Sequence, residues 1–146
     1  MPTTMIRPDV TDVLNRLLRV LCRSMPRYLE QAKPWAQSDH DKHQEALADL
    51  VADQGLMARR VARAVIGRGG QPDPGPFPAA FASLNDAALD RLLPRLVDHQ
   101  QRDVAEVRCC VAALADAPEE RALAEEVLGN LQGHLEILEE RMKAEG

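Results

Sequence analysis

Hydrophobic residues recur every three or four positions over four long stretches of the chain, the period of amphipathic helices lying against a core. The first stretch starts near Asp9 and places Val10, Leu14, Leu17, Leu18, Leu21, Met25 and Leu29 on one side. Arg16, Arg19, Arg23 and Arg27 form a stripe elsewhere on the same cylinder. Pro26 predicts a kink and Pro34 an end. The second helix is predicted from "SDHD", where Ser38 and Asp41 have capping-box spacing, through Leu47, Leu50, Gln54, Met57, Val61 and Val65 to Gly67, Gly69 and Gly70. The third starts at "SLND" (Ser83 and Asp86) and carries Leu89, Leu93, Leu96, Val97, Val104, Val107, Val111 and Leu114, with a bend expected at Pro94. The fourth starts at "DAPEE", with Asp116 capping and Glu119 three residues on, and continues through Leu123, Val127, Leu131, His134 and Leu138. Gln54 is the anomaly, a polar residue on an inward stripe.

Connection lengths constrain how these helices pack. Few residues separate the first from the second and the third from the fourth, so each pair is expected to form an antiparallel hairpin. Between the second and third lies "GRGGQPDPGPFPAAFA", residues 67–82. Extended, that segment reaches roughly 50 Å. A helix of about 27 residues is roughly 40 Å long. The linker can therefore run the length of the helices and leave the second and third parallel. The expected fold is an all-α four-helix bundle with one long crossover, a single domain over residues 1–146.

Composition narrows the function classes. Aromatics make up only 3% of the chain against 45% hydrophobic residues, which suits helices packing through Leu, Val, Ala and Met. A net charge of −5 lacks the basic footprint that phosphate backbones require, so no nucleic-acid partner is expected. Residues 1–75 come to +2 and residues 76–146 to −7, an asymmetry of solvated faces that could also orient two subunits. Cys22, Cys109 and Cys110 follow no disulfide framework and read as reduced thiols of a cytoplasmic protein. "MPTTMIRPDV" has no apolar run of the signal-peptide kind, and no stretch of about 18 apolar residues would span a membrane.

Four stretches resemble the bacterioferritin branch of the ferritin-like family. "LNRLLRVLCRSMPRYL" matches that family's first helix from Leu14 to Leu18 and again at Tyr28. "QGLMARRVARAVIGRGGQP" spans its Glu-x-x-His motif and Gly-x-Pro ending, with Gln54 on the glutamate, Met57 on the histidine, and Gly70 and Pro72 on the ending. "LQGHLEILE" is similar to its Glu-Glu-Gly-His stretch, keeping Gly133 and His134. The resemblance implies a ferritin-like bundle whose di-iron ligand positions fall on Leu21, Gln54, Met57, Leu131 and His134. The ligand of the third helix, counted back from the fourth, falls on Asp98, with His99 or Gln100 one or two residues away. Leucines at 21 and 131 remove charge and donors together, and a thioether at Met57 suits iron poorly. Gly55 stands where the family's haem-binding methionine would be. Neither a di-iron nor a haem cofactor is therefore expected.

Ordinary roles are expected for the other conspicuous side chains. Gln54 and His134 read as core polar residues satisfying each other or Tyr28. His40 and His43 read as solvent-exposed, Cys109 and Cys110 as buried small hydrophobes, and Arg59, Arg60, Arg63 and Arg68 as a solvated face. No Ser-His-Asp grouping, phosphate loop or carboxylate pair is recognisable, so no catalytic residue is assigned. The leading expectation is a non-catalytic, metal-free interaction or scaffold protein, a homodimer packed through its first two helices. An alternative is a divergent metal-handling protein with a reduced site around His134, Asp98 and Gln54. A third reading is a small-ligand binder using the bundle centre. Only "LEILEERMKAEG" follows His134, and it continues the fourth helix, so a storage cage built with a fifth helix is not expected.

Overall fold

The computed structural model of the chain describes residues 9–32, 41–79, 81 and 89–145. Expectations at Pro34, Ser38, His40, Ser83 and Asp86, and at the side chains of Asp41, His43 and Leu89, lie outside what it describes. The described residues form five helices and no strand: α1 (Val10–Cys22), α2 (Met25–Ala32), α3 (Asp41–Gly67), α4 (Leu89–Ala113) and α5 (Pro118–Glu145). Among them, no helix is long and apolar enough to cross a membrane.

Where a kink was expected at Pro26 the helix is broken in two. Pro26 has no N–H to give the carbonyl of Cys22 and its ring crowds that carbonyl, so α1 stops. The Arg23 N–H closes α1 on Arg19 O at 2.8 Å. Ser24 then starts α2, its hydroxyl accepting from Arg27 N at 3.3 Å and its carbonyl from Tyr28 N at 3.1 Å. Asp9 caps α1 by accepting from Thr11 N at 2.8 Å. At the end of α3, Gly69 adopts φ +81°, a left-handed conformation open to glycine. Gly70 N reaches back to Val65 O at 3.0 Å and Gly69 N to Ile66 O at 2.9 Å, satisfying the last carbonyls of the helix. α4 runs unbroken through Pro94, and α5 begins on Pro118, a residue suited to a first helical position.

Cross-helix pairs set the directions. Ser24 meets Gln54 midway along α3, whereas Thr11 lies against Gly70 just past its end, so α1 and α3 are antiparallel. Asp53–His134, Arg60–Glu126 and Arg68–Glu120 fall in reverse order along α3 and α5, so these too are antiparallel. α4 and α5 form a hairpin turning at residues 114–117, where Ala117 N reaches Leu114 O at 2.9 Å. Both α3 and α4 oppose α5 and therefore run the same way. With α1 and α2 as one broken rod, the arrangement is compatible with a four-helix bundle.

Two apolar clusters fill the interior. The first is built on Leu14, Leu17, Leu18, Leu21, Val61, Val65, Val107, Leu114, Val127 and Leu131, and the second on Met25, Leu29, Leu50, Leu93, Leu96 and Leu138. Each leucine fully buried in them stabilises the fold by about 1.5–3 kcal/mol.

Residues 70–78 have no regular structure but are tied along the α1–α2 rod. Asn15, buried on α1, donates Nδ2 to Gln71 O at 3.1 Å and accepts from Asp73 N at 2.9 Å. Arg19 pairs with Asp73 at 2.8 Å, Gly75 lies beside the Arg23 side chain, and Phe77 meets Tyr28 edge-on with centroids 5.3 Å apart. A methyl group at Gly70 would come within 2.5 Å of Thr11 Cγ2, so glycine sets how closely the chain leaves α3 for α1. Asn15→Ala should destabilise the protein by about 1–3 kcal/mol in urea unfolding, because it strands a backbone donor and acceptor. Arg19→Ala, which loses an exposed pair, should cost about 1 kcal/mol or less.

Candidate functional site

Four polar residues lie at the level where the two apolar clusters meet. Ser24 falls between Leu21 and Met25, Gln54 between Leu50 and Ala58, Gln100 between Val97 and Val104, and His134 between Leu131 and Leu138. In each case the flanking residues belong to different clusters, so each rod contributes one member of a polar layer. Gln54 and Gln100 are completely buried. Ser24 donates its hydroxyl to Gln54 Oε1 at 2.7 Å. Gln54 Nε2 and both amide atoms of Gln100 meet no protein partner. Each such group costs about 1–3 kcal/mol.

This answers the Gln54 anomaly differently from the sequence reading. Gln54 pairs with Ser24, and the His134 ring is bound by Asp53, whose Oδ2 accepts from His134 Nε2 at 2.6 Å and from Asn130 Nδ2 at 3.3 Å. Successive residues on a helix point about 100° apart. Residue 53 therefore faces α5 while residue 54 faces the broken rod. Neither Ser24 nor Asp53 was singled out from the sequence, because both partners depend on which helix lies opposite.

The other singled-out positions divide. Leu21 and Leu131 are buried in the first cluster. Met57 is only partly buried at its edge, with Sδ 3.8 Å from an Arg60 nitrogen. Asp98 is corrected: its side chain is 54% exposed and pairs with Arg102 at 2.8 Å, so it faces outward. Gln100, two residues on, occupies the interior in its place. Two leucines, two amides and a histidine already bound by a carboxylate do not fit a di-iron pair, which needs hard oxygen donors from every helix. Among the described residues no group of three or more His, Cys, Asp or Glu side chains is placed to hold a metal.

Adjacent thiols separate in the same way. Cys110 is buried, and burial pushes its thiol up to about 11, whereas Cys109 is exposed. Only one of the pair is the buried small hydrophobe that was expected. Arg59, Arg60 and Arg63 are exposed as expected, and Arg60 and Arg68 pair with Glu126 and Glu120 of α5.

Beside the polar layer lies a cleft of about 280 Å³ between α1, α4 and the end of the connecting segment. Its polar wall holds Arg16, Arg23, His99, Asp103 and Glu106, and its apolar wall Val20, Met25, Pro78 and Phe81. Arg16 Nε donates to Glu106 at 3.0 Å, and His99 packs against Phe81 with ring centroids 5.3 Å apart. Burial lowers the His99 pKa, and Arg102 adds to the effect. Asp103 Oδ2 and Arg23 Nε are shut off from solvent and meet no protein partner. Burial, with a smaller push from Glu106, raises the Asp103 carboxyl to about 7. The sequence carried one faint signal for Asp103, a carboxylate three residues after Gln100 and next to the inward Val104.

Asp103 makes stability depend on pH. Below its ordinary value of 3.8 the carboxyl is protonated in folded and unfolded chains alike. Between there and about 7 the folded chain alone retains the proton, so stability falls as pH rises through that window and then levels. Asp103→Asn should therefore gain on the order of 2–4 kcal/mol over the parent at pH 8 and almost nothing at pH 4, read from chemical unfolding at both. Comparison of the chain with protein-family models, curated proteins and solved structures finds no match.

Proposed function

We propose that this protein is a ferritin-like bundle with a long crossover, without di-iron or haem chemistry, that acts as an interaction or scaffold module and works as a homodimer. The observation that carries the reading is the burial of Leu21 and Leu131 at positions where the ferritin-like family places carboxylate ligands. Their side chains fill the interior with hydrocarbon, and near that level Gln54 Oε1 is tied to Ser24 and His134 to Asp53. Parallel α3 and α4, with residues 70–79 running along the α1–α2 rod, support the same fold.

The dimer contact is assigned to the outer face of α3. Leu56 and Ile66 are exposed there at 52% and 60%, large apolar side chains beside the outward Arg59 and Arg63. Apolar residues rimmed by charge suit a small two-fold contact. The arginine stripe of α1 is a poorer candidate for the rim of that contact. Arg16 and Arg19 are engaged within the chain by Glu106 and Asp73.

Light scattering on a sizing column should give a mass about twice 16.1 kDa, and Leu56→Glu should halve it. A particle of several hundred kilodaltons would point back to iron storage. Incubation with ferrous iron, followed by desalting and elemental analysis, should leave well under one iron per chain. Near-stoichiometric iron that disappears in His134→Ala would establish the metal-handling reading instead.

A further inference from the structure

We propose that the cleft between α1 and α4 binds a small organic monocarboxylate, its carboxylate held by the Arg23 guanidinium and its apolar body resting on Val20, Met25 and Phe81. Of the three arginines lining the cleft, Arg16 is taken by Glu106 and Arg19 by Asp73. Arg23 forms no ion pair among the described residues, and its Nε is buried without a hydrogen-bond partner. A guanidinium stays charged at any physiological pH, and its fork of donors matches a carboxylate's two oxygens. Gly75 lies beside the Arg23 stem, where an added methyl group would stand 3.4 Å from Cδ.

Charge and shape select within the anions. With Arg16 and Arg19 already paired, Arg23 is the one unpaired arginine among the described residues of the cleft, enough for a monoanion. A doubly charged phosphate would need more donors than the cleft has free. Four of the walls are apolar, so a ligand carrying hydrocarbon displaces water from them, whereas a bare inorganic ion does not. The volume of about 280 Å³ is at the small end for ligand sites and limits the body to a few carbons or one ring.

Asp103 tunes the site. The charged and titratable groups around it in the cleft are Arg16 and Arg19 from α1, Arg23 from the break after it, and His99 and Glu106 from α4, while the connecting segment contributes the uncharged Pro78 and Phe81. When protonated, Asp103 donates a hydrogen bond toward an anion's oxygen; when ionised, it repels the anion. Its carboxyl, held near 7 by burial, shifts between these states around neutrality, and its protonated fraction falls about tenfold from pH 6 to pH 8.

The test is titration of the whole chain with benzoate, with benzamide as its neutral isostere and inorganic phosphate as the bare anion, followed by amide NMR at pH 6 and pH 8. Benzoate should shift amides of residues 19–25 and 99–106, about tenfold more weakly at pH 8, while benzamide and phosphate leave them unmoved. Arg23→Gln should weaken benzoate binding by about tenfold or more, and Arg23→Lys, which retains the charge and most of the stem, should recover part of that loss. Asp103→Asn should bind benzoate at both pH values with the pH dependence gone. Equal shifts from benzamide, phosphate shifts in place of benzoate, or parental binding in Arg23→Gln would each overturn the proposal. Should Arg23→Gln fail to fold, Asp103→Asn decides alone, and a full tenfold pH dependence retained in that variant refutes the site.

Discussion

The middle of this protein depends on the missing N–H of Pro26. Because that residue cannot serve the Cys22 carbonyl, the first rod breaks at Arg23 and Ser24. The break turns Ser24 into the cap of α2 and buries its hydroxyl, which then needs both a donor and an acceptor. Arg27 N supplies the first and Gln54 Oε1 the second. The break also lets Arg23 leave the helical register and line the cleft with Asp103. A continuous helix would have carried residues 23 and 24 past the core with their carbonyls and N–H groups already paired.

The polar layer works against stability and for uniqueness. Leucine in place of Gln54 or Gln100 would add burial, but the interior would become one greasy column in which the helices could slide by a turn. Buried polar groups with specific partners fix such a register in helical assemblies. Ser24–Gln54 does so between the broken rod and α3, and the half-exposed His134–Asp53 pair adds a tie between α5 and α3. The exposed pairs reinforce this pattern cheaply. Arg16–Glu106, Arg60–Glu126 and Arg68–Glu120 each join a basic residue of the first half of the chain to an acidic residue of the second. The charge asymmetry between the halves is thus used within one chain, by exposed pairs that solvent screens.

Residues 70–78 show how a segment without secondary structure keeps its place. It has few hydrophobic anchors, Phe77 chief among them, and its backbone groups cannot pair with one another. One buried asparagine resolves this by facing both a carbonyl and an N–H of the segment, at Gln71 and Asp73. The glycines at 69 and 70 make the approach possible, the first by its left-handed backbone and the second by leaving room for Thr11.

The sequence determined what depends on neighbours along the chain. Spacing of Leu, Val and Met marked the helices, glycines marked the end of α3, and the length of residues 67–82 allowed α3 and α4 to run the same way. It also identified Leu21, Gln54 and Leu131 as interior positions, since a stripe every three or four residues shows which face turns inward. What it could not show is which helix lies opposite that face. Gln54 and Asp53 are neighbours in sequence, yet they serve different rods, and Asp98 and Gln100 differ by two residues and lie on opposite sides of α4. A helix turns about 100° per residue, so an error of one or two positions moves a side chain from core to solvent. Partners for Ser24 and His134, the isolation of Arg23 and the raised carboxyl of Asp103 arise only when separate helices are brought together. Tertiary structure decided them because pairing and desolvation belong to the space between helices, where distance along the chain carries no information.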